Sequence, residues 1–262
     1  MMRKTIAVTI DLETDWGGKQ EANGTNYGME FALPRITKML DKRNIKATFF
    51  VCGDILENYN NDVLALLDNG HEIQCHGYHH VDHSLLSTAT LKKEIEACMK
   101  TFSRFGIKPV GFRAPQGKFK DNMFGVLSSL GFKYDSSVIR AWIPGRLDNR
   151  GHPIQPFDVE TKTGKIREIP ISPIPRLNLP FGLLWINTMG MGVFKKLAKG
   201  MPEQAVFYMH PFDIIHPKPP FSTSMLNRGW YSFRQDNAEK TLVGAINFFA
   251  KTNDFVTLHD ML

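Results

Sequence analysis

The chain has 262 residues, 42% hydrophobic and 22% charged, with 21 Gly and 15 Pro spread along it and a formal net charge of +6. That length and balance suit one globular domain with a large buried core and exclude a disordered, fibrous or repeat protein. The charge admits an anionic partner, but the basic residues fall in scattered pairs such as Lys92-Lys93 and Lys195-Lys196 with no aromatic-interleaved stripe, so nucleic acid is not expected as a partner.

Residues 5–10 are apolar and rich in β-formers, and read as a buried strand running into Asp11-Leu12-Glu13-Thr14-Asp15. Residues 16–28, with four Gly and two Asn, read as a loop. In 29–43, Phe31, Ile36, Met39 and Leu40 stand at helical spacing, with Pro34 tolerated in the first turn. A second strand follows at 47–51, and then a helix capped by Asn61 or Asp62 that runs to Leu67 and stops at Asn69-Gly70. A third strand, 72–75, enters His76-Gly77-Tyr78-His79-His80-Val81-Asp82-His83. Helix 90–105, strand 110–113, helix 122–130 and strand 132–138 come next. Residues 141–176 are Pro-rich and read as an insertion with a β-hairpin, 158–161 and 165–171 about Thr163-Gly164. Strand 205–209, helix 237–249 and strand 255–258 complete the chain. Strands alternating with helices argue an α/β fold with a parallel sheet, and six or more such units argue closure into a single-domain, TIM-like (β/α) barrel of seven or eight strands over 1–262.

The apolar stretch 179–194 is broken by Asn187 and by Gly182, Gly190 and Gly192, so it is no membrane span. Cys52, Cys75 and Cys98 are odd in number and lie in apolar segments, as reduced buried thiols do. Four residues precede the first strand, with no room for an export signal, which leads to the expectation of a cytoplasmic protein.

Parallel barrels carry their reactive groups at the carboxyl ends of strands, and unusual polar residues stand at five such ends here. Asp11, Glu13 and Asp15 alternate, so an extended backbone turns all three to one side, where metal ligand and general base can be divided among them. His76 and His80 have the i, i+4 spacing that lets two imidazoles close on one ion, and with one carboxylate they leave a coordination position for water. His79 and His83 are surplus to that set, at the surface or behind the ligands, and Cys75 alternates to the opposite side. Arg113 can grip a carboxylate in a fork, and the Pro115-Gln116-Gly117 turn can aim the Gln116 N–H at an oxyanion. Asp135 ends another strand as a supporting carboxylate, and His210, following a wholly apolar strand, is placed as a general acid. The bland alternatives are a solvated polar turn, an acidic loop and a satisfied core histidine.

In that order, Asp11-x-Glu13, His76-x-x-x-His80, Arg113-Ala114-Pro115-Gln116-Gly117, Tyr134-Asp135-Ser136-Ser137 and Met209-His210-Pro211 resemble the successive motifs of the polysaccharide deacetylases, the chitin/peptidoglycan deacetylase or NodB-homology family of carbohydrate esterases, over about residues 5–260. Glu168-Ile169-Pro170-Ile171 and Leu179-Pro180-Phe181-Gly182 resemble segments of the subgroup acting on bacterial or archaeal cell-surface polysaccharides. The resemblance implies a distorted parallel barrel and a divalent metal, usually Zn2+, with Co2+, Ni2+ or Mn2+ as substitutes. It implies Asp11 as general base, Glu13, His76 and His80 as metal ligands, Arg113 as the group orienting the base and His210 as general acid. Two departures stand out: Glu13 replaces the usual Asp, leaving Asp15 as a rival ligand, and Gly77 replaces the usual Ser or Thr.

The reaction so implied is hydrolysis of an N-acyl, chiefly N-acetyl, group on an amino sugar of a polysaccharide or a lipid-linked glycan precursor. Rivals are deformylation of a lipid-linked amino sugar, hydrolysis of a small cyclic amide, and a non-catalytic carbohydrate-binding protein, the last disfavoured by retention of both Asp11 and His210. Trp142, Trp185 and Trp230 are available to stack on sugar rings, and the positive charge is compatible with peripheral contact to an anionic membrane. Nothing in the pattern indicates an oligomeric state.

Overall fold

The structure is a computed structural model describing residues 3–15, 26–143, 147–215 and 237–262. Most of the loop expected at 16–28, and Trp230, lie outside the described residues.

β1 (Lys4–Leu12) is buried from Ile6 onward, as a parallel strand covered on both faces must be. Along one edge it pairs with β12 (Gln204–Met209). Its first half also pairs with β13 (Asn253–Val256), and its second half with β2 (Thr48–Val51). From β2 the sheet continues through β3 (Glu72–Cys75), β4 (Gly111–Phe112), β5 (Tyr134–Asp135), β9 (Gly164–Glu168) and β8 (Phe157–Thr161). Every pairing in this sheet is parallel except β8 with β9. On the far side, the irregular chain after β9 meets β12: the Ser172 N–H donates to the Val206 carbonyl at 3.2 Å, and Gly182 bridges Tyr208. The sheet thus comes round as a distorted (β/α) barrel. β6 (Trp142–Ile143) with β7 (Leu147–Asp148), and β10 (Pro173–Ile174) with β11 (Leu179–Pro180), form two small antiparallel pairs beside it.

The helices are α1 (Leu33–Asp41), α2 (Gly53–Asn58), α3 (Asn60–Asp68), α4 (Thr88–Arg104), α5 (Asn122–Ser129), α6 (Leu183–Met189), α7 (Met191–Leu197) and α8 (Ala238–Phe249). The larger core packs their apolar faces on the outside of the sheet, with Leu91, Ile95, Cys98 and Phe102 of α4 as one such row. A smaller cluster of Ala7, Phe50, Tyr134, Ile169, Ile171, Val206, Leu258 and Met261 fills the barrel interior beneath the polar groups at its mouth.

Several elements differ from expectation for local reasons. The helix expected at 29–43 opens with a π turn, Gly28–Ala32, because the Asp15 and Asn26 side chains take the N–H groups of Tyr27, Gly28 and Met29. The strand expected at 132–138 is regular only over β5, since Ser136 and Ser137 turn their hydroxyls onto Arg113 and Asp135. Residues 164–168, expected inside the insertion, form β9 and pair with β5, because Ile166 and Glu168 bury one strand face against the helices. β13 begins two residues before the expected 255–258 and stops at Val256, because the Asp260 carboxylate captures the Thr257 N–H and Leu258 donates to Thr48 Oγ1. α2, α6 and α7 are absent from the sequence reading; Gly190, at φ 80°, breaks α6 from α7. Among the described residues no helix is long and apolar enough to cross a membrane.

Candidate active site

Glu13, just past β1, and His76 and His80, just past β3, bring one donor atom each to within 4.8 Å of one another. Glu13 Oε2 lies 2.5 Å from His80 Nε2 and 3.5 Å from His76 Nε2. His76 Nδ1 sits 2.8 Å from the Arg113 carbonyl, which assigns its proton to Nδ1 and leaves the Nε2 lone pair for the site. Glu13 Oε2 and His76 Nε2 are buried without a well-formed hydrogen bond, a costly state for polar atoms unless an electrophile completes them. Two imidazole nitrogens and one carboxylate are the donors of a divalent transition metal, so these residues fit such an ion. Burial opposes charge on Glu13, yet the facing His80, His210 and His76 imidazoles outweigh it and hold the carboxyl far below the usual range. Burial likewise opposes charge on His80, but the Glu13 carboxylate wins and raises its pKa.

Asp15 does not join this group. β1 has ended, and both Asp15 oxygens accept backbone N–H bonds, from Tyr27 at 2.6 Å and Gly28 at 2.9 Å. Cys75 faces the outer core, its sulfur 3.1 Å from that of Cys98. His79 is exposed, whereas His83 is fully buried, stacked on Phe112 and 3.2 Å from Glu94. Glu94, on α4, also accepts the N–H groups of Tyr78 at 2.6 Å and His79 at 3.0 Å, and so hangs the histidine loop on the helix. Gly77 has φ 78°, and a Cβ there would meet Glu94 and His83 at 3.1–3.3 Å. The missing Ser or Thr hydroxyl is therefore replaced by the Glu94 tether, which needs a glycine.

Arg113 follows β4 and is almost wholly buried. Its Nη1 donates to Asp11 Oδ1 at 2.7 Å and Thr9 Oγ1 at 2.9 Å, its Nε to the Ser136 carbonyl at 3.0 Å, and its Nη2 to Ser136 Oγ at 2.9 Å. The guanidinium also lies 4.1 Å over the Phe50 ring. Every edge of the fork is used, so Asp11 is aimed by a group with no alternative position.

His210 follows β12. Its ring stacks on Phe212, its backbone N–H donates to Asp213 Oδ2 at 2.8 Å, and its Nδ1 lies 3.5 Å from the same oxygen. Burial works against its charge, but the Glu13 carboxylate, Asp213 and Asp11 override it, and the pKa is pushed up to about 9. Gln116, at φ 60°, forms the 3₁₀ turn Pro115–Gly117. Together with His210, Asp213, Tyr208, Trp185 and Leu183 it lines a cleft. Trp142 is not among the lining residues and lies under Arg150 instead. Asp135 is likewise not among them: wholly buried on the helix-facing side of β5, it accepts the Ser137 N–H and hydroxyl. Asp213 and Glu94 were not singled out from sequence, and Glu168 entered only as the first residue of a resembling segment, with no role assigned to it. Asp213 alone had a local signal, three residues after His210 with Pro between, the spacing of a short capping turn.

Residues 3–134, half of the chain, match the sequence profile of the family described as polysaccharide deacetylase. The peptidoglycan deacetylase of Helicobacter pylori is 30% identical over 143 residues, 50% of this chain and 48% of that protein. The chain thus spans about half the length of the curated relatives it matches. Among solved structures, Puue allantoinase superposes with a TM-score of 0.69 at 15% identity, over 98% of this chain and 88% of that one. A CE4 family pseudoenzyme of Bacillus anthracis does so with a TM-score of 0.59 at 14% identity, over 99% and 65%. At such identities the likeness concerns the fold, and it agrees with the distorted barrel described above. Profile, motif order and architecture together make this chain a member of the polysaccharide deacetylase family.

Proposed function

We propose that this protein is a metal-dependent hydrolase that removes the N-acetyl group from an amino sugar of a peptidoglycan- or chitin-like polymer. The observation that carries the reading is the trio of Glu13, His76 and His80, with unsatisfied buried donor atoms, set among the Arg113-held Asp11 and the cationic His210. A divalent ion held by those three residues would polarise the acyl carbonyl and lower the pKa of a water toward ~7.

The chain's own groups do the rest. Asp11, fixed by Arg113, accepts the proton of the attacking water. The backbone N–H of Gln116, at the edge of the cleft, is the donor offered to the oxyanion that develops on the acyl oxygen. His210, protonated and steadied by Asp213, gives its proton to the leaving amine. Acid and base keep opposite protonation states because one carboxylate is clamped by a cation while the imidazole is ringed by anions. Trp185, in the wall of the cleft, supplies a face for a sugar ring. Relatives named for peptidoglycan support a polymeric substrate over a lipid-linked one.

The test is metal analysis of the purified protein combined with acetate release from N-acetylated glycan oligomers. One equivalent of divalent metal and chelator-sensitive acetate release are expected. Formate release from N-formyl sugars alone, ring opening of a cyclic ureide alone, or glycan binding without turnover would each overturn the assignment.

A further inference from the structure

Asp135 and Glu168 are direct partners in the parallel pairing of β5 with β9. Neighbouring strands lie about 4.8 Å apart, so their carboxyl groups stand side by side. Both residues are 0% exposed. α5, which packs on β9, contains no ionisable residue between Asn122 and Ser129, and the β8 residue opposite Glu168 is Phe157. Arg113, which follows β4, is a cation whose charge reaches the pair, and it is already committed to Asp11 and Ser136. Two buried carboxylates side by side repel one another, and a shared proton resolves the conflict. Consistent with this, burial raises the Glu168 pKa, with the Asp135 charge adding to it, and burial raises that of Asp135 against the pull of its hydrogen bonds.

The pair is wired to the base. Glu168 Oε1 accepts the Val138 N–H at 3.1 Å, and Asp135 accepts the Ser137 hydroxyl at 2.7 Å and N–H at 3.0 Å. That orientation turns a Ser137 Oγ lone pair to the Ala114 N–H, at 2.7 Å, next to Arg113. The adjoining Ser136 receives two of the Arg113 donors and gives its own hydroxyl to Ile169. We propose that Glu168 is a positioning residue: it holds one proton against Asp135 at neutral pH, and the neutralised pair fixes Ser136-Ser137 so that Arg113 keeps Asp11 aimed. The proton passes to no substrate and no bond is made or broken. The inference rests on the reading of Asp11 as the base.

Glu168→Gln keeps a donor toward Asp135 and an acceptor for Val138, whereas Glu168→Ala removes both. Difference infrared spectra at neutral pH should show a protonated-carboxyl band in the parent protein that Glu168→Gln abolishes. The Arg113 Nε–H resonance should survive in Glu168→Gln and move in Glu168→Ala. In turnover of an N-acetylated oligomer, Glu168→Gln should stay within about threefold, and Glu168→Ala should lose at least about tenfold in kcat with KM changed less than about threefold and metal content intact. Should Glu168→Ala not fold, Ser137→Ala cuts the link to Ala114 while leaving the pair in place, and is expected to lower kcat similarly with the infrared band retained. No band in the parent protein, an unmoved Arg113 resonance, or full kcat in Ser137→Ala overturns the proposal. If the parent protein hydrolyses no N-acyl sugar, the assigned reaction falls, and the band and the resonance still decide the role of Glu168.

Discussion

Replacing Arg113 by Met separates what the guanidinium does for the fold from what it does for the chemistry. Met fills most of the volume over Phe50 but cancels four hydrogen bonds, to Asp11, Thr9 and twice to Ser136. The larger loss is electrostatic: the Asp11 carboxylate, 5% exposed, is left without its cation. Removing one member of a buried pair costs about 3–5 kcal/mol, because the survivor is unsolvated. We therefore expect a loss of about 4 kcal/mol by denaturant titration, and a Tm lowered by roughly 8–16 °C at about 2–4 °C per kcal/mol for a chain of this size. The kcat should fall by orders of magnitude while one equivalent of metal is retained, since the Arg113 backbone carbonyl that holds His76 survives. Asp11→Leu combined with Arg113→Met should recover most of the stability and none of the activity, because no charge is then stranded. A single Arg113→Met variant destabilised by less than about 1 kcal/mol, instead of several, would refute the claim that the pair is desolvated.

Asp11→Asn preserves shape and leaves the three metal donors untouched; metal content should be unchanged and kcat lower by about 10²-fold or more, the scale of a lost general base, and undiminished turnover would remove Asp11 from that role. His76→Ala deletes one of the three donors found among the described residues, so atomic absorption should find the site largely empty; a full equivalent of zinc would mean that the ligand set is different. His210 provides a pH test. Its folded pKa of about 9 lies above the unfolded imidazole value of 6.5, so its stabilisation is complete below pH 6.5 and is lost as pH rises through about 9. The metal-free protein should lose stability across that window and a His210→Gln variant should lose less. Adding zinc, which neutralises Glu13, should lower the His210 midpoint in an NMR titration, and a midpoint indifferent to zinc would refute the electrostatic account.

What could be read from the chain before folding was whatever depends on neighbours in sequence. Asp11 and Glu13 follow a buried apolar strand, and His76 and His80 are one tight turn apart, so their convergence is a local pattern placed by a global rule about strand ends. Asp15 obeyed the same alternation on paper and left it because the strand stopped at Leu12 and a helix start offered two free N–H groups. The partners of these groups were hidden for a different reason. Glu94 meets Tyr78 across sixteen positions, and Glu168 meets Asp135 only because β9, apparently part of an insertion, joins the main sheet in one register. Strand register over such distances is set by packing, which a single sequence does not display. α6 and α7 were obscured because each is only seven residues long, too short to display an amphipathic period, and Asn187, Gly190 and Lys195-Lys196 interrupt the apolar run.

The anchoring of the histidine loop to α4 has a consequence for how an ion comes and goes. Glu94 fastens the loop backbone and the Arg113 carbonyl orients His76, so the loop that carries two of the three proposed donors is held by hydrogen bonds of the fold itself. Were an ion bound there as proposed, its removal by a chelator would leave those hydrogen bonds in place, unlike in small zinc domains whose folding and metallation are one event.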